Sequence, residues 1–185
     1  MRELIIGGQK SGKSRAAECR ATQWLAIPGR EAVLIATAEA GDPEMAQRIA
    51  RHRADRRERC AALQTVEAAT PLPAVIARWS LPARLVIVDC LTLWLTQLAM
   101  PLAGAPATDQ ELRAAIEAVV TAAAAAPGPL VFVSNEIGLG ASSLSAEARR
   151  FVDRLGLLHQ AIAGVCDRVT LMVAGCELAV RRQAV

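Results

Sequence analysis

Two stretches of the chain carry side chains that could bind and break a nucleoside triphosphate. The first reads Gly7-Gly8-Gln9-Lys10-Ser11-Gly12-Lys13-Ser14. Gly7, Gly12, Lys13 and Ser14 fall on the G-x-x-x-x-G-K-[ST] spacing, with a strand-like run before and a helix-like run after. Glycines at 7, 8 and 12 permit a tight loop whose amides turn inward onto phosphate oxygens. The helix that follows presents its positive end to the same anion. Lys13 is expected to reach the β- and γ-phosphates as a catalytic cation, and Ser14 to offer its hydroxyl to Mg2+. Lys10 and Lys13 are the only lysines among 21 basic residues. A compact ammonium suits position 13; the motif leaves position 10 free. Asp89 ends the apolar run LVIVD, where the second metal carboxylate of a phosphate-loop protein belongs; capping of the next helix is the alternative.

The second stretch is 42–59, DPEMAQRIARHRADRRER. Asp42 can cap a helix and Pro43 suits its first position. Met45, Ile49 and His52 then share one face, and Arg48 lies four residues before His52, close enough to touch it. Arg51, Arg53, Arg56, Arg57 and Arg59 make the end of the segment strongly basic. Three readings stand together. The segment is a solvated charged helix with His52 at the core's edge. Or it is a lid whose arginines neutralise a transferring phosphoryl group. Or His52 is a nucleophile that attacks a nucleotide phosphorus to give a phosphoramidate.

These groups need a scaffold, and the hydrophobic pattern supplies one. Short β-branched runs at 3–7, 32–36, 85–89, 130–135 and 168–174, and a weaker one at 63–67, read as buried strands. Helical patterns lie at about 13–25, 43–54, 71–79, 91–100, 108–126 and 145–163. The alternation predicts one α/β domain over 1–185, a mostly parallel, RecA-like phosphate-loop NTPase sheet with helices on both faces. Ligands bind such sheets at the carboxyl ends of the strands. That singles out the 7–14 loop, TAEAGD at 37–42, Asp89 with Cys90, and SNEIGLG at 134–140.

Composition removes several classes. Aromatic residues are 3% of the chain and the net charge is +3, so base stacking on single-stranded nucleic acid is not expected. The five cysteines show no C-x-x-C pair, which argues for a reducing cytoplasm and against a disulfide framework or zinc site. The most apolar stretch, LVIVDCLTLWLTQLAM, holds Asp89 inside it and reads as strand then helix, not a membrane span. RELIIGG begins at once, with no room expected for a signal peptide. The strand at 130–135 leads into SNEIGLG and not into the N-K-x-D guanine reader of regulatory GTPases. A small kinase or nucleotidyl transferase remains, with a nucleotide-dependent switch as the non-enzymatic alternative.

The ordered set GGQKSGKS, IATAEAGDPEMAQRIARHR, VIVDCLTLWL, VSNEIGLG and ARRFVDRLGLLHQAIAGVCDRVTLMVAG resembles the bifunctional adenosylcobinamide kinase / adenosylcobinamide-phosphate guanylyltransferases of cobalamin biosynthesis, over essentially the whole chain. The resemblance implies two reactions. A nucleoside triphosphate, ATP or GTP, phosphorylates the aminopropanol hydroxyl of adenosylcobinamide. GTP then guanylylates a histidine, releasing pyrophosphate, and GMP passes to the cobinamide phosphate. His52 holds the R-I-x-x-H position and is the implied guanylylated residue. Nucleotide contacts are implied at Gly7, Gly8, Gln9, Lys10, Ser11, Gly12, Lys13 and Ser14, at Ala36, Thr37 and Ala38, at Arg53, Ala54, Asp55 and Arg56, and at Glu67 and Asp89. A homotrimer is implied as well. The chain departs from the family pattern at Arg57, in place of a proline, and at Cys60, in place of a tryptophan. It departs again at Ala141-Ser142-Ser143 after the glycine motif, and at His159, which stands where an asparagine is expected and is read as structural.

Overall fold

The computed structural model describes residues 1–67, 71–140 and 145–182. Seven strands form one sheet: β1 (Arg2–Gly7), β2 (Glu31–Ala36), β3 (Gln64–Glu67), β4 (Arg84–Asp89), β5 (Leu130–Asn135), β6 (Arg168–Val173) and β7 (Cys176–Arg181). Their order is β3-β2-β4-β5-β1-β6-β7. Every pairing is parallel except β6 with β7. Six helices connect them: α1 (Lys13–Leu25), α2 (Pro43–Arg59), α3 (Leu72–Trp79), α4 (Leu91–Ala99), α5 (Asp109–Ala125) and α6 (Ala146–Val165). The fold is α/β and phosphate-loop NTPase-like, with β5 lying between the loop strand β1 and the Asp89 strand β4.

The strands bury both faces, as continuous apolar runs in a parallel sheet must. Alternate residues sort cleanly between the two layers. Leu4, Val33, Val86, Val88, Leu130 and Phe132 pack under Leu72, Ile76, Trp94, Leu95, Val119 and Leu158 of α3 to α6. Ile5, Leu34, Leu85, Ile87, Val131 and Val133 meet Ala16, Ala17 and Ala21 of α1, with Cys60 and Leu63. Helices therefore cover both faces unequally, four against one. The small alanine face of α1 brings that helix close to the sheet, so the loop at its start sits directly over the strand ends.

The helix starts follow their capping residues. Asp42 Oδ1 accepts the Met45 amide at 2.7 Å, Ser145 Oγ accepts that of Ala148 at 3.0 Å, and Thr108 with Glu111 makes a capping box. Two expectations need correction. Helix α2 continues to Arg59 instead of stopping near 54, because arginine is a good helix former and Arg56 and Arg59 find an acidic partner on α1. Strand β7 was not anticipated. All six of its residues are exposed, so no burial pattern marks it. It is made by a two-residue hairpin turn in which both Ala174 (φ 50°) and Gly175 (φ 82°) are left-handed. The expected departure at Ala141, Ser142 and Ser143 lies outside the described residues.

Candidate active site

Strand register gathers most of the predicted residues along one edge of the sheet. Gly7 pairs with Asn135, Asp89 with Val133, Ala36 with Asp89, and Ala36 with Glu67. The carboxyl ends of five strands are thus level, as the ligand-binding rule for open α/β sheets requires.

The phosphate loop is closed on itself. The Lys13 ammonium donates to the Gly8 carbonyl at 2.7 Å, and Ser11 N–H to the same oxygen at 3.2 Å. Gly12, at φ 103°, caps α1 in the left-handed region, where a side chain would be strained. At Gly7 an added Cβ would fall 2.5 Å from the Met172 carbonyl, so only glycine lets the loop leave β1 here. The β6–β7 turn supports the loop from outside, with Gly175 N–H donating to the Ser11 carbonyl at 3.0 Å. Lys13 itself is buried. Burial pulls its pKa below the ordinary lysine value, while Cys90 and Asp89 pull it back and Arg48 adds to the lowering. Lys10 is different: it is exposed at the loop rim with φ 56°. It therefore sits in strained backbone, pointing its charge toward solvent and not into the loop.

His52 lies on the exposed side of α2. Desolvation by the surrounding protein lowers its pKa below 6.5; Asp89 opposes this, Arg48 and Arg56 reinforce it, and Asp55 opposes it. Asp89 and Arg48 act on both Lys13 and His52. Helix α2, which carries Arg48 and His52, follows the end of β2 where Ala36 pairs with Asp89. Of the three readings of the segment, the edge-of-core one does not describe His52, which is exposed.

The arginines divide. Arg53 pairs with Glu67. Together they separate a cleft of about 590 Å3, between Ala38–Ala40, Ile49 and Leu102, from one of about 360 Å3 beside Arg56, Arg57 and Thr65. Arg56 turns inward: it is buried, donates to Thr65 Oγ1 at 3.2 Å, and lies 3.9 Å from Glu18 Oε1 on α1. Arg59 Nη1 stands 2.9 Å from Glu18 Oε2. The Arg56 guanidinium thus anchors α2 to the body and does not face the loop. Ala54 is exposed and Asp55 pairs with Arg59. Cys60, where a tryptophan was expected, is buried under the end of α2. Removing Glu18 would strand Arg56 without its counter-charge. Glu18→Ala is expected to cost about 3 kcal/mol, a fall in Tm of roughly 10 °C, measured by thermal unfolding monitored by circular dichroism.

Thr37 also serves the scaffold. Its hydroxyl donates to the Cys90 carbonyl at 2.7 Å and accepts the Cys90 amide at 2.8 Å; its amide donates to the Asp89 carbonyl at 3.0 Å. Gln97 Nε2 donates to the Thr37 carbonyl at 2.5 Å. The ends of β2 and β4 are locked in this way, which fixes Asp89. Ala36 and Ala38 flank Thr37 and leave room above the sheet edge.

Ser14 and Asp89 offer one hydroxyl and one carboxylate for a cation. Among the described residues no group of three His, Cys, Asp or Glu side chains could hold a metal ion. This donor set fits Mg2+, which takes one or two protein ligands and completes its shell from phosphates and water. It does not fit a closed structural metal site.

Two features escaped the sequence reading. One is the β6–β7 turn behind the loop, whose only sequence signal is Ala174-Gly175 between two alternating runs. The other is a buried polar chain at the end of β5. His159 is buried, with Nε2 2.7 Å from Ser134 Oγ and Nδ1 3.5 Å from Glu136 Oε2. Ser134 Oγ lies 2.9 Å from Thr92 Oγ1, which accepts the Asn135 amide at 2.8 Å.

Residues 3–180 match the family described as cobinamide kinase / cobinamide phosphate guanyltransferase. A bifunctional adenosylcobalamin biosynthesis protein, CobP of Pseudomonas aeruginosa, is 46% identical over 178 residues, 96% of each chain. The bifunctional adenosylcobalamin biosynthesis protein CobU of Escherichia coli K12 is 32% identical, and its Salmonella typhimurium counterpart 31%, each over 96% of this chain and 98% of its own.

Proposed function

The chain belongs to the cobinamide kinase / cobinamide phosphate guanyltransferase family, and from that premise we propose how one phosphate loop serves two transfers. The protein is a bifunctional transferase of adenosylcobalamin biosynthesis, acting on nucleoside triphosphates and a cobinamide. In the kinase step the cobinamide alcohol attacks the γ-phosphorus and the bond to the β-phosphate oxygen breaks. The inward amides of residues 7–14 and Lys13 hold the charge that develops on the phosphate oxygens. In the second step the neutral His52 imidazole attacks the α-phosphorus of GTP and pyrophosphate leaves, giving a phosphoramidate. A phosphate oxygen of the cobinamide phosphate then attacks the same phosphorus, and His52 leaves with GMP transferred. Mg2+ bound by Ser14, Asp89 and the phosphates would neutralise charge in both steps. Arg53, Glu67 and Ala38 line the cleft that would take the rest of the nucleotide, with Ala36 paired to Glu67 at its floor strand.

One observation carries this reading: α2, which bears His52, follows the end of β2 that pairs with Asp89, and Arg56 and Arg59 pin it to Glu18 of α1, the helix that begins at Lys13. The test is a product assay with adenosylcobinamide and Mg2+. Label from γ-labelled triphosphate should enter the corrinoid first, and label from α-labelled GTP should follow. Transfer of γ-label alone would instead describe an ordinary small-molecule kinase with an arginine lid.

The direction of the His52 shift makes a pH prediction. A pKa held below 6.5 leaves the ring neutral and nucleophilic at pH 7. Acid protonates it and removes the attacking lone pair. The single-turnover rate of self-guanylylation should hold near its plateau from pH 8 to about 7.5 and reach half of it only below about pH 6.5. A rate already halved at pH 7 would contradict the assignment.

Supporting features extend the reading to the cell. The five cysteines are free thiols, in keeping with a cytoplasmic enzyme. No helix among the described residues is long and apolar enough to cross a membrane. The family resemblance implies a homotrimer, and β7 with exposed Leu178 and Val180 is an available edge for it.

A further inference from the structure

The kinase step needs a group to receive the proton of the attacking alcohol, and Lys13 and His52 already have other roles in the proposed reactions. Lys13 is a cation folded on the loop. Asp89 is the proposed cation ligand, and Glu67 is paired with Arg53. Glu136 is one residue beyond β5, the strand between the loop strand and the Asp89 strand. Its amide donates to the Gly7 carbonyl at 2.9 Å, so the residue is fastened to the first residue of the phosphate loop. Its carboxylate is partly exposed at the sheet edge.

That carboxylate is held from two sides. Gly138 N–H donates to Oε1 at 2.6 Å, and His159 Nδ1 faces Oε2 at 3.5 Å. An added Cβ at Gly138 would fall 3.0 Å from Oε1, so glycine lets the backbone come this near. Behind His159 the protons can be placed in one direction. Asn135 N–H donates to Thr92 Oγ1, Thr92 O–H to Ser134 Oγ, and Ser134 O–H to His159 Nε2. The imidazole then carries its proton on Nδ1 and presents it to Glu136. The opposite order would aim an Nδ1 lone pair at a carboxylate. Burial, opposed by Glu136, lowers the His159 pKa, which favours the neutral ring.

We infer that Glu136 is the catalytic base of the kinase half-reaction and that His159 is the positioning residue that aims it. The inference rests on the two-step reading above. As the new oxygen–phosphorus bond forms and the bond to the β-phosphate oxygen breaks, the alcohol proton passes to the Glu136 carboxylate. The nucleoside diphosphate leaves with the electron pair. The guanylyl steps do not need this base: neutral imidazole and an ionised phosphate are the nucleophiles there.

The experiment compares both half-reactions in the same preparations. Glu136→Gln should lower the kinase kcat about 100-fold or more, with the KM for triphosphate within about threefold of the parent. It should retain α-label from GTP as the parent does. Kinase turnover near the parent level, or equal loss of both half-reactions, overturns the assignment. Two variants test the positioning role. His159→Asn puts an amide N–H near the place of Nδ1 and should keep most of kcat, whereas His159→Leu should lose about tenfold or more without a change in KM. Equal behaviour of the Asn and Leu variants overturns it. Failure of the parent protein itself to retain α-label would refute the two-step reading and leave the kinase comparison to judge Glu136 alone.

Discussion

His52→Ala should abolish transfer of GMP while the kinase step continues. The nucleophile is absent from the variant, and loss of a covalent catalyst costs about 10^4-fold or more. The kinase rate should stay within about threefold of the parent, because His52 carries no part of the packing. It is exposed, and α2 is fastened through Arg56 and Arg59 to Glu18 and Thr65. A steady-state assay with adenosylcobinamide should therefore accumulate the phosphorylated corrinoid and no guanylylated product. Parallel loss of both activities would mean that His52 supports the loop and does no covalent work.

Lys13→Ala should have the complementary result, with both half-reactions falling by about 100- to 1,000-fold, the range for removing one preorganised charge-stabilising donor. Each step breaks a phosphoanhydride in the same loop, so a single cation serves both. Lys13→Arg should not rescue either. The ammonium is buried and lies 2.7 Å from the Gly8 carbonyl, inside a loop closed by Ser11 and backed by Gly175. A forked guanidinium is too broad for that space. Initial rates of the two reactions, each with its own label, would check this; an arginine variant with full activity would contradict the loop geometry. Lys10, the other lysine, should tolerate replacement, since its charge faces solvent at the loop rim.

Much of this architecture was legible before any coordinates. Five of the helices and five of the strands announce themselves because their residues are buried on a fixed period, and burial is what hydrophobic pattern records; α2 is marked instead by Asp42 and Pro43 at its start. Strand β3 was a weak signal for the same reason. It is a short edge strand of four residues, with no fully buried member. Strand β7 was silent because none of its side chains is buried; backbone pairing and two left-handed turn residues make it, and neither leaves a hydrophobic period. The end of α2 was misplaced because a run of arginines looks solvated in sequence. Only the tertiary pairing with Glu18 shows that two of them are anchors.

The site divides along the same line. Gly7, Gly12, Lys13 and Ser14 could be proposed from sequence because their local spacing alone reads as a phosphate loop. Asp89 could be proposed because the apolar run ends at it, and β4 does end there. Thr37 and Arg56 were named as nucleotide contacts, but their polar atoms face Cys90, Asp89, Glu18 and Thr65 within the protein. Chain proximity to a site does not tell which way a side chain turns. His159 was read as structural from its helical position, and it is buried. What sequence could not supply is the register that sets it against Ser134 and Glu136, residues from another element of the fold.

The most direct test of the covalent mechanism is the mass of the protein after incubation with GTP and Mg2+, followed by peptide mapping under alkaline conditions. The mechanism predicts one added GMP on the peptide containing His52, lost on brief acid treatment and on addition of cobinamide phosphate. No adduct, or a GMP placed on Lys13 or His159, would contradict it.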